Sequence, residues 1–128
     1  MGNSGGGTTS YHAAALEPRI KVCMPSCSFC TYEDFILSMV HCACNFVPGI
    51  SVYMEMPDLA MLIASRPLII VNGDKDPIFP LKAANRTFDI VKDIYKSAGA
   101  PHNCRHIIGN GEHRFFADDS WPVFDEFI

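Results

Sequence analysis

The spacing of apolar positions changes several times along the chain and divides it into short elements. Thr8 to Leu16 is a run of small and apolar residues that suits a helix, closed at Glu17-Pro18 because a proline keeps the residue before it out of helical geometry. Ile20 to Met24 is apolar, is bounded by Pro25 and predicts a strand. Between Thr31 and Cys44, the residues Phe35, Ile36, Met39 and Val40 fall at helical spacing and predict a second helix. Asp58 to Ala64 predicts a short helix with a carboxylate near its start, where it complements the helix dipole. Leu68-Ile69-Ile70-Val71 is apolar at every position, the pattern of a parallel strand buried on both faces. From Leu81 to Ala98, apolar or small residues recur at steps of three or four, marking one face of an amphipathic helix that Gly99 ends. Arg105 to Ile108 predicts a last strand and Trp121 to Ile128 a terminal helix. Helices alternating with strands in this way predict an α/β fold around a mainly parallel sheet.

Composition narrows the possibilities. The chain has 128 residues, 48% of them apolar and 19% charged, enough to pack one core and too apolar for a disordered polymer. Its net charge of −4, with lysines and arginines scattered singly, gives no basic stripe for phosphates, so nucleic acid is not an expected partner. No apolar stretch approaches the ~20 residues needed to span a bilayer, and no secretory signal pattern opens the chain. Five of the six cysteines crowd between Cys23 and Cys44, which fits reduced thiols in a cytoplasmic protein better than a disulfide framework. Cys27-x-x-Cys30 with His41-Cys42-x-Cys44 offers soft ligands for zinc, but the second pair has only one intervening residue. Core packing of these cysteines is the expectation, with no metal or organic cofactor. The methionines and aromatics between Met24 and Met61 read as core or as an apolar substrate wall.

Three loop motifs carry candidate chemistry. Gly2-Asn3-Ser4-Gly5-Gly6 satisfies Gly-x-Ser-x-Gly, in which a serine is held on a sharp strand-to-helix turn; alone, the same residues also read as a flexible glycine-rich terminus. Asn72-Gly73-Asp74-Lys75-Asp76-Pro77 follows the apolar strand and places a carboxylate at its C-terminal end, the sheet edge where sites are built. Gly109-Asn110-Gly111-Glu112-His113 puts a histidine in the loop after the next strand. Each is weak by itself, yet together they give the order Ser, Asp, His, each just beyond a strand, which is the chain order used by α/β-hydrolases.

These motifs, with Leu62 to Gly73, Asp76-Pro77-Ile78-Phe79-Pro80 and Gly109 to Phe115, resemble the C-terminal part of α/β-hydrolases of the dienelactone hydrolase and acetyl xylan esterase group. The resemblance covers nearly the whole chain. It implies a partial α/β-hydrolase domain over residues 1–128, beginning at the nucleophile elbow: the C-terminal half of a mainly parallel sheet flanked by helices. It also implies a serine esterase whose nucleophile, acid and base are Ser4, Asp76 and His113, with Asp76 preferred to Asp74 and the Gly5 nitrogen as one oxyanion donor. The expected substrate is a small-molecule ester; oligomeric state stays open. Other readings are a non-catalytic binding module of the same fold and a serine peptidase. Because no leading strand precedes the elbow, Ser4 is expected to lack a strand to hold it and the chain alone to be inactive.

Overall fold

The computed structural model describes the backbone of residues 1–128 and every side chain except that of Cys44. Four strands, β1 (Gly2–Asn3), β2 (Pro25–Ser26), β3 (Leu68–Gly73) and β4 (Cys104–Gly109), lie in that order in one parallel sheet. The ladder between β3 and β4 runs six residues, from Leu68 opposite Cys104 to Gly73 opposite Gly109. All six residues of β3 are buried, as an apolar run sandwiched between helical layers requires.

Five helices flank this sheet: α1 (Gly5–Leu16), α2 (Ile50–Tyr53), α3 (Ala60–Ile63), α4 (Leu81–Ser97) and α5 (Ala117–Asp125). The larger core lies on one face, where Tyr11, Phe29, Met56, Leu68, Ile70, Val91 and Tyr95 meet. A smaller one joins Met24, Ile69, Val71 and Phe116. Helix α4 buries Ala84, Phe88, Val91 and Tyr95, the stripe predicted from spacing, and Gly99 at φ 72 terminates it with its N–H on the Lys96 carbonyl. Arg66 fastens the last turn of α1: its guanidinium donates to the carbonyls of Ala14, Glu17, Ile20 and Leu62 at 2.8 to 3.2 Å. A cation there also meets the negative end of the helix dipole.

Three predicted elements differ. The strand expected over 20–24 is centred later, with Pro25 inside it. Cys23 and Cys27 both hydrogen-bond to the β3 side, so the run does pair, and the missing N–H of Pro25 interrupts the ladder. The helix expected over 31–44 is a series of turns with a 3-10 turn at Ala43–Asn45. There Thr31, Ser38 and His41 bond to Asp34, Phe35 or their backbone, which competes with helical bonding, and Val40 is 98% exposed. The terminal helix begins at Ala117, earlier than expected, with Asp118 and Asp119 in its first turn. No helix among the described residues is long and apolar enough to cross a membrane.

Candidate active site

Ser4 sits between the end of β1 and the start of α1 with φ 54 and ψ −126, a backbone geometry that costs a non-glycine residue free energy. The expectation that no strand holds it is corrected. Gly2–Asn3 forms a short strand against Pro25–Ser26, and the Ser4 amide donates to the Ser26 carbonyl at 2.8 Å. The glycine pattern has a physical reason. A Cβ on Gly2 would fall onto the Gly6 carbonyl and one on Gly7 onto the Ser28 hydroxyl, so β1, α1 and the 28 region close on one another only without side chains there. The Ser4 hydroxyl does not cap α1, and Gly5 is the first helical residue, where N–H groups have no partner within their own helix.

The other two motif residues meet. Asp76 is buried in the loop after β3, with Oδ1 accepting the Ile78 and Phe79 amides at 2.9 and 3.2 Å. Its Oδ2 faces Nδ1 of His113 at 2.8 Å. When the carboxylate accepts in this contact, the neutral ring carries its proton on Nδ1 and leaves a lone pair on Nε2. The imidazole stacks nearly parallel on Phe79 at a centroid distance of 5.9 Å and keeps 21% of its side chain exposed. Asp74 has a different task. It is exposed, and its Oδ1 accepts the Gly111 amide at 2.7 Å while the Lys75 amide donates to the Gly111 carbonyl, fastening the aspartate loop to the histidine loop.

Ser4, Asp76 and His113 thus all leave the sheet at the C-terminal ends of parallel strands. Among the described residues no hydrogen bond joins Ser4 to His113. Residues that the motifs did not mark complete the surroundings. Cys27, at φ 44 just past β2, is buried and donates its thiol to the Arg114 carbonyl at 3.1 Å, beside His113. Burial, and then the nearby Asp76 charge, push that thiol's pKa up, so it is held as the neutral acid. Asn72, at the end of β3, bridges the Phe29 carbonyl and Nε2 of His106. Burial, aided by Lys92 and opposed by Asp89, lowers the His106 pKa to about 4.

The cysteine set read as possible zinc ligands does not assemble among the described residues. His41 bonds to the Phe35 carbonyl, Cys42 is exposed, and the Cys44 side chain lies outside those described. The segment between Met24 and Met61 contributes core residues such as Phe29 and Met56. It also forms one wall of a cleft of about 340 Å³, where Tyr32, Ile36, Val47 and Ile50 face Thr8 and His12 of α1.

No protein-family model matches the chain. It is 26% identical over 118 residues to "Putative hydrolase YtaP" of Bacillus subtilis (strain 168), covering 90% of this chain and 39% of that protein. Among solved structures it resembles a carbohydrate esterase family 15 glucuronoyl esterase from Caldicellulosiruptor kristjansonii, with TM-score 0.78 at 16% identity over 97% of this chain and 40% of that one. It also resembles a "Putative Dienelactone Hydrolase" from Klebsiella pneumoniae subsp. pneumoniae MGH 78578, with TM-score 0.61 at 17% identity over 98% of this chain and 49% of that one. The chain therefore has the α/β-hydrolase fold and spans about two-fifths of the length of the curated relative it matches.

Proposed function

We propose that the chain supplies the nucleophile, base and acid of a serine ester hydrolase: Ser4, His113 and Asp76. The observation that carries this reading is the 2.8 Å bond from His113 Nδ1 to the buried Asp76 carboxylate, on the same sheet edge as a serine whose φ is 54. Nε2 of His113 accepts the Ser4 proton as the hydroxyl oxygen attacks the ester carbonyl, and the imidazolium then protonates the departing alcohol. Asp76 holds the tautomer and stabilises the imidazolium, and the Gly5 N–H donates to the developing oxyanion. Water, activated by the same histidine, releases the acyl group from Ser4.

Hydrolase and esterase neighbours support the ester substrate class. The reading is tested in the hydrolase-length protein, meaning this chain together with the region its relatives carry beyond the matched segment. A fluorophosphonate probe should place one adduct on Ser4, lost in Ser4→Ala and strongly slowed in His113→Ala. Esterase activity that survives Ser4→Ala, or an adduct on another serine, would remove the assignment.

A further inference from the structure

Beside the His113–Asp76 pair lies a third side chain that the proposed reaction does not use. Cys27 is fully buried, and its left-handed backbone turns the chain out of β2 so that its thiol faces the loops from β3 and β4. Its Sγ, a carboxylate oxygen of Asp76 and a ring nitrogen of His113 all lie within 4.8 Å of one another. Three points so spaced lie within about 2.8 Å of a common point, whereas zinc bonds to sulfur, nitrogen and oxygen are about 2.0–2.3 Å long. The atoms are therefore at most about half to three-quarters of an ångström from bonding distance to a shared ion, and Nδ1 and Oδ2, now 2.8 Å apart, part slightly to admit it. A thiolate, a carboxylate and an imidazole are a donor set that suits zinc, three protein ligands leaving a fourth position for water. The partly exposed edge of His113 gives the ion a way in.

We propose that Cys27, Asp76 and His113 form a zinc site that switches the acid–base pair off. The switching rests on the reading of His113 as the base; the binding does not. Zinc takes the Nδ1 lone pair of His113, so the ring proton resides on Nε2 and that nitrogen becomes a donor. The Cys27 thiol loses its proton to solvent as the sulfur–zinc bond forms. Asp76 exchanges its hydrogen bond to Nδ1 for a bond to the ion. One proton leaves for each ion bound and nothing is oxidised or reduced. With a proton on Nε2, the imidazole has no site to accept one from Ser4.

Cobalt(II) titration of residues 1–128 tests the site without needing turnover. One equivalent should bring a thiolate-to-cobalt charge-transfer band and tetrahedral visible bands, both abolished by stoichiometric zinc. Cys27→Ser should lose the charge-transfer band and bind at least about a hundredfold more weakly, since even outer-shell changes cost 10–100-fold. His113→Gln and Asp76→Asn should weaken binding comparably, and Cys42→Ser and Ser4→Ala should leave it unchanged. His113→Gln guards against a Cys27→Ser chain that does not fold, because this side chain is part-exposed. No stoichiometric binding, or a band that survives Cys27→Ser or His113→Gln, would overturn the site. In the hydrolase-length protein, zinc should stop fluorophosphonate labelling of Ser4 and a chelator should restore it; labelling untouched by saturating zinc would overturn the switch. If Ser4 never labels while the cobalt spectra behave as described, the hydrolase reading fails and the metal site stands.

Discussion

His106 offers a stability prediction whose sign and size can both be worked from its surroundings. It lies on β4 opposite Ile70, packs against the Phe88 ring at 4.7 Å and bonds Asn72 through Nε2 at 3.0 Å. Desolvation there disfavours the imidazolium, Lys92 on α4 adds to the penalty and Asp89 on the same helix partly offsets it, bringing the pKa from 6.5 down to about 4. Between those two values the unfolded chain binds a proton that the folded chain does not. Stability is then fully present above about pH 6.5, falls as pH drops towards 4, and changes no further from this group below that. A shift of about two and a half units corresponds to roughly 3 kcal/mol at 1.36 kcal/mol per unit. Carboxylates titrate in the same range, so the useful quantity is a difference from His106→Gln, whose amide can still donate to Asn72 but cannot titrate. Urea unfolding followed by far-ultraviolet circular dichroism at pH 7.5 and 4.5 should show wild type losing about 2–3 kcal/mol more than the variant over that interval. Parallel losses in the two proteins would refute the reasoning, because they would mean that His106 is protonated as easily in the fold as outside it.

Other expectations follow from the same structure. Asp76→Asn should cut kcat of the hydrolase-length protein by about three to four orders of magnitude, because an amide at this position selects the wrong imidazole tautomer. Asp74→Asn should change it little, since an asparagine oxygen can still accept the Gly111 amide; p-nitrophenyl acetate hydrolysis separates the two. Arg66→Ala should cost about 2–3 kcal/mol in urea unfolding of the chain, as four carbonyls lose a charged donor and the end of α1 loses its counter-charge. Gly2→Ala should slow probe labelling of Ser4 and destabilise the fold by about 1–3 kcal/mol, because its Cβ pushes β1 off the Gly6 backbone. Labelling at the wild-type rate would show that the close approach of β1 and α1 does not shape the turn.

Much of this fold could be read from spacing because its strongest signals are local. The all-apolar Leu68–Val71 run, the face of α4 and the stop at Gly99 each follow from one strand or helix meeting one core. The loops that carry Asp76 and His113 were legible for the same reason, since they follow the clearest strands. The turns over 31–44 were not, because side-chain bonds from Thr31, Ser38 and His41 outweigh a periodicity whose Val40 never becomes buried. Strand β1 was invisible because two residues carry no period; it exists only through pairing with a strand far along the chain. Cys27 could be seen as a cysteine but not as a neighbour of Asp76, a relation that only the parallel order of β2 and β3 creates.

The unequal lengths of the ladders have a consequence for how the site is assembled. Asp76 and His113 hang from β3 and β4, joined by six residue pairs, whereas Ser4 hangs from β1, joined to β2 by two. Cooperative opening should follow that gradient, so amides beside Ser4 should exchange with deuterium at lower opening cost than those of Leu68–Val71. On the proposed reading, a His113–Asp76 pair that stays set while Ser4 comes and goes makes the reactivity of Ser4 depend on the short pairing of β1 with β2. The two-pair ladder would then act as a clutch, and the six-pair ladder as a fixed shaft.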